Sequence, residues 1–96
     1  MKIEVTTRHF SAQKDIRDYA ESGLNTLIKH SDRITISRMI ISRENNDYTT
    51  EINLSLPKHL LNVKDTSGNV TKSIDGAVKK MVSRINKITD KWKNHH

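Results

Sequence analysis

The chain has 96 residues, 33% of them hydrophobic and 29% charged, with no cysteine and a formal net charge of +6. That length holds one domain over residues 1–96 with little core to spare, at the polar end of globular composition. Disulfides, thiolate metal sites and cysteine nucleophiles are excluded, and neither an apolar leader nor an 18-residue apolar run is present, so no membrane association is expected and a reducing, cytoplasmic setting fits.

In chain order, residues 2–7 alternate Ile3 and Val5 against Lys2, Glu4 and Thr6, the period of a half-buried strand. Ser11 is placed to cap a helix from about Ala12 to His30, with Ile16, Tyr19, Ala20, Leu24, Leu27 and Ile28 on one apolar face. Gly23 inside that helix costs about 1 kcal/mol relative to alanine. From Ile34 to Glu44 β-branched residues are dense, but the apolar phase shifts between Ile36 and Met39, which predicts a strand with a bulge or bend.

Asn45, Asn46 and Asp47 form a turn, after which Thr50, Ile52, Leu54 and Leu56 alternate cleanly with polar neighbours. Pro57 ends this strand, and His59 to Asp65 predicts another with Leu61 and Val63 inward. Ser67-Gly68-Asn69 breaks the chain before a final helix. The order is therefore strand, helix, three strands in antiparallel succession, helix. This is an α+β domain with a four-stranded sheet, whose first strand can lie parallel to the second and whose two helices cover one face.

The charge is uneven. From Val70 onward seven Lys/Arg face two acids, whereas residues 1–69 hold ten against nine. In the last helix Ile74, Ala77, Val78, Met81, Ile85, Ile88 and Trp92 form the packing face, and Lys80, Arg84, Lys87 and Lys91 fall in a band about 60° wide beside it. Neither Asp75 nor Asp90 lies in that seam, so the usual i,i+4 pairing of opposite charges is missing. A solvated helix face and a phosphate-binding stripe both fit this pattern. A membrane-surface helix does not, because the apolar face is needed to cover the sheet.

Nothing in the sequence assembles a catalytic or metal site. His9, His30 and His59 lie in three different elements, His95 and His96 are a terminal pair, and no serine has a nucleophile-elbow context. With three glycines there is no phosphate-cradling loop. The expectation is a non-enzymatic protein without cofactor or metal.

Several stretches resemble a known family. Thr7-Arg8-His9-Phe10, Ile16-Arg17-Asp18-Tyr19-Ala20, Lys29-His30-Ser31-Asp32-Arg33-Ile34, Thr50 to Pro57, and Ile74-Asp75-Gly76-Ala77 with the basic helix after it are similar, in order and spacing, to the ribosome hibernation promoting factors. These are also called ribosome-associated inhibitors or sigma-54 modulation proteins. The resemblance spans essentially the whole chain. It implies a β-α-β-β-β-α domain, similar to double-stranded RNA-binding domains, that docks on the small ribosomal subunit. There it would occupy the mRNA and tRNA channel and silence translation by occlusion, a hibernation role tied to stress and stationary phase.

By residue match, the implied contacts to ribosomal RNA are Lys29, Lys80, Arg84, Lys87 and Lys91. No small-molecule substrate is implied, and the protein is expected to be monomeric off the ribosome. Two departures stand out: Asn69-Val70-Thr71 replaces an Asp-x-Tyr pair before the last helix, and Gly23, Asn25 and Thr26 stand where the first helix is often basic. The chain resembles the short form, without the C-terminal dimerisation domain of longer members. A general double-stranded RNA-binding module is the alternative reading.

Overall fold

The strand pattern places apolar residues on every second position, and the sheet uses that period to sort its two faces. In the computed structural model, residues 2–93 are described, with side chains through residue 89. The elements are β1 (Lys2–Arg8), α1 (Lys14–His30), β2 (Ile36–Glu44), β3 (Asp47–Leu56), β4 (His59–Ser67) and α2 (Val70–Lys93). The sheet runs β1-β2-β3-β4, with β1 parallel to β2 and the other pairs antiparallel.

Register brings Val5, Met39, Ile52 and Val63 into one row across the sheet, and Ser37, Leu54 and Leu61 into the next row of the same face. Against these rows lie Ala20, Leu24 and Leu27 of α1 and Ile74, Ala77, Met81 and Ile85 of α2, all buried. Both helices therefore cover one face, as the alternation predicts, and this single layer of apolar contacts is the core.

Three local expectations are corrected. First, α1 begins at Lys14 with Gln13 as its cap and no side-chain cap bond, so Ser11 does not cap it. His9 takes a left-handed φ of 68° at the exit of β1, and the chain needs the following residues to turn into the helix. Phe10 then closes the end of the core, its ring edge-on to Tyr48 at 5.4 Å, while Arg43 lies over Tyr48.

Second, β2 has no bulge: residues 36–44 pair without interruption with β3, and residues 36–42 do so with β1. The apparent phase shift arises because Ser37 occupies a fully buried inner position while Ile36 and Ile40 sit half-buried on the outer face. Third, Tyr19 is 40% exposed, lying at the seam between the helices instead of inside the core. Gly23 has a structural reason: a Cβ there would come within 3.0 Å of Val78 Cγ2, so its absence lets α2 approach α1.

Candidate nucleic-acid interface

The start of α2 is anchored before its charges are presented. Asn69 Oδ1 accepts the Lys72 backbone N–H at 3.1 Å, and the Ser73 N–H donates to the Asn69 carbonyl. Asn69 thus performs the capping that an aspartate would perform at that position. Ser73 Oγ donates to the Val70 carbonyl at 2.7 Å, which leaves the buried Thr50 hydroxyl to donate to Ser73 Oγ at 2.8 Å. This closed chain of hydroxyls pins the first turn of α2 to β3, and it fixes the rotation of the helix about its axis.

With that rotation set, the basic seam of α2 faces the free edge of β4. A groove of about 790 Å³ opens between them, lined by Lys64, Lys79, Lys80, Arg84 and Lys87 together with Asn62, Asp65 and Ser83. Among the described residues, Lys79, Lys80, Arg84 and Lys87 of α2 face the Asp65 carboxylate there, and Lys64 borders the groove from the outer face of β4. Among the described residues no three of His, Asp and Glu are grouped to hold a metal ion, and no helix is long and apolar enough to cross a membrane.

The carboxylate alters the expected picture of the seam. Among the described residues the stripe is relieved by Asp65 of β4: Lys80 Nζ lies 2.9 Å from Asp65 Oδ1 and donates to the Lys64 carbonyl at 2.8 Å. Lys80 therefore spans the groove and covers part of the β4 edge, where unpaired backbone groups would otherwise be open. Asp65 reaches this position because Gly76 faces it; any Cβ on Gly76 would overlap the Asp65 carboxylate.

Of the residues expected from the sequence, Lys80, Arg84 and Lys87 are brought together in the groove. Lys29 is exposed at the end of α1 and does not line it. The side chain of Lys91, like those of Asp90 and Trp92, lies outside the described residues, as do His95 and His96. Sequence reasoning missed Lys64, Lys79, Asp65 and Gly76. Lys64 was legible as an outward position of β4, but only the packing of α2 over that edge makes it a neighbour of Arg84 and Lys87.

A second, smaller groove runs between the helices, with Gly23, Ile74, Val78 and Val82 among its lining residues. Tyr19 Oη donates to Asp75 Oδ1 across it. That bond, then desolvation, then the nearby negative charge of Asp75, raise the Tyr19 pKa above its ordinary value.

The sequence profile of the family described as sigma 54 modulation protein / S30EA ribosomal protein matches residues 3–93. Among solved structures, the fold is similar to the N-terminal domain of Protein Y from Thermus thermophilus, with a TM-score of 0.81 and 24% identity, covering 92% of this chain and 99% of that one. It is also similar to a ribosomal subunit interface protein from Coxiella burnetii, with a TM-score of 0.86 and 20% identity, covering 94% and 99%. No curated protein matches the sequence. The two structures share the β-α-β-β-β-α architecture, and with the family profile running from β1 through α2, this chain belongs to the sigma 54 modulation protein / S30EA ribosomal protein family.

Proposed function

We propose that this chain is a non-enzymatic, cytoplasmic ribosome hibernation factor, acting through one domain over residues 1–96. It binds the small ribosomal subunit in the mRNA and tRNA channel and stops translation by occlusion. The observation that carries this reading is the α2–β4 groove, in which, among the described residues, Lys79, Lys80, Arg84 and Lys87 face one acid and Lys64 borders them. Such a surface suits a phosphate backbone, whose neutralisation by Lys and Arg releases counterions and makes binding salt-dependent. Family membership supplies the ribosome as the source of that backbone, and the similar Coxiella burnetii protein is described as a ribosomal subunit interface protein.

Within this reading Arg84 and Lys87 contact ribosomal RNA directly, Lys29 and Lys91 extend the basic surface, and Lys80 contributes through its contact with Asp65. The test is co-sedimentation of the protein with vacant ribosomes and separated subunits across a salt series. Retention on small subunits and whole ribosomes that weakens with salt supports the reading, and no retention at low salt overturns it. Adding excess free duplex RNA identifies the alternative: a general duplex binder is displaced, a ribosome-specific factor is not.

A further inference from the structure

Among the described residues Asp65 is the one carboxylate lining the α2–β4 groove, and its position there is built. The chain omits a side chain at Gly76 to admit it, and a cation of α2 is spent on it: Lys80 bridges Asp65 Oδ1 and the Lys64 carbonyl. The Asp65 side chain remains 25% exposed, so its charge is still felt in the groove. For affinity to phosphates alone this is a loss, since a like charge beside a phosphate opposes binding. A repulsive group has another use: it raises specificity by penalising the ligands that would set a charge against it.

We propose that Asp65 is the specificity-determining residue of this groove. With Lys80 latched to it, Asp65 disfavours phosphate at its own place in the groove and leaves Lys79, Arg84 and Lys87 to take phosphates around it. A regular RNA duplex presents an unbroken row of phosphates and meets the carboxylate. A folded RNA with an irregular backbone can pass over it, which is how ribosomal RNA is distinguished from free duplex. The inference rests on the groove being a phosphate site and deepens the ribosome-binding reading.

The test measures binding of wild type, Asp65→Asn, Lys80→Met and the double variant to purified ribosomes and to a short regular RNA duplex across a salt series, with thermal melts alongside. Asp65→Asn is expected to bind the duplex about threefold more tightly at low salt, with a smaller change on ribosomes, so the preference for ribosomes falls. Lys80→Met is expected to cut duplex binding by more than Arg84→Gln does, because it removes a cation and uncovers Asp65. In the Asp65→Asn background the same Lys80→Met change should cost much less. An equal gain on both ligands, or no gain on the duplex, overturns the proposal.

Should Asp65→Asn melt early, Lys80→Met carries the test alone, and a loss no greater than that of Arg84→Gln overturns it. Wild type that binds duplex but is not retained on ribosomes sinks the ribosome reading and, with it, the discrimination assigned to Asp65. Ribosome retention with no duplex gain for Asp65→Asn overturns the Asp65 assignment alone.

Discussion

Gly76 and Asp65 are coupled, and their coupling offsets an ordinary helix rule. Alanine in place of glycine within a helix normally stabilises by up to about 1 kcal/mol. Here the added Cβ would overlap the Asp65 carboxylate, forcing it off Gly76 and off Lys80. Gly76→Ala should therefore keep little of that gain in a urea melt, because the displaced carboxylate gives up a partly exposed ion pair, whereas in an Asp65→Ala background the same substitution should stabilise by up to about 1 kcal/mol. A second residue breaks the usual rule of satisfied polar groups: among the described residues the fully buried Ser37 hydroxyl has no hydrogen-bond partner. An unpaired buried hydroxyl carries its desolvation cost without return. Ser37→Ala should leave stability unchanged or raise it by about 1 kcal/mol, read as a shift in urea midpoint at constant slope.

Contacts between elements depend on a few polar bonds at the margins of the core. Tyr19 Oη donates to Asp75 at the seam of α1 and α2, and this raises the Tyr19 pKa above its ordinary value of about 10. A group whose pKa is higher in the folded than in the unfolded state contributes stability that is fully present below the unfolded pKa and is lost as pH rises through the folded one. The stability gap between wild type and Tyr19→Phe should therefore be present near pH 8 and shrink above about pH 10. Paired urea melts of the two proteins check this, since other titrating groups are common to both. At the β3–β4 hairpin, Pro57 and Lys58 form the turn, with Lys58 at a φ of 65°. A side chain in that region costs roughly 1 kcal/mol, and Lys58→Gly should raise the melting temperature without changing ribosome binding, because Lys58 does not line the groove.

Across the whole molecule the charges divide by face. The outer face of the sheet carries Lys2, Arg8, Arg38 and Lys64 against Glu4, Glu44, Asp47 and Glu51, by the register of the strands. Within it Arg38 and Glu4 pair at 2.8 Å. That face is balanced, so the field of the protein is set by α2, and a polyanion is steered to the α2–β4 side. Reversing charge there should act on binding and not on folding. Arg84→Glu with Lys87→Glu should abolish ribosome retention at moderate salt with little change in melting temperature, as both side chains are exposed. Replacing the pair by glutamine instead should make the salt dependence of log K shallower by about one to two units, the number of phosphate contacts removed.

The order of elements, the inward positions of β3 and β4 and the apolar face of α2 were all legible in the sequence. Each rests on a period, two for strands and 3.6 for helices, and a period needs no knowledge of neighbours. The stripe of Lys80, Arg84 and Lys87 was legible for the same reason. What a side chain meets across an element boundary carries no such period. The inner position of Ser37, the exposure of Tyr19 and the failure of Ser11 to cap α1 follow from register and from the turn at His9. By itself the sequence determined the fold class and a positive last helix. Only the tertiary structure decided that this helix lies along the β4 edge, where Asp65 and Gly76, eleven residues apart in the chain, meet and turn a row of cations into a groove with a counter-charge in it.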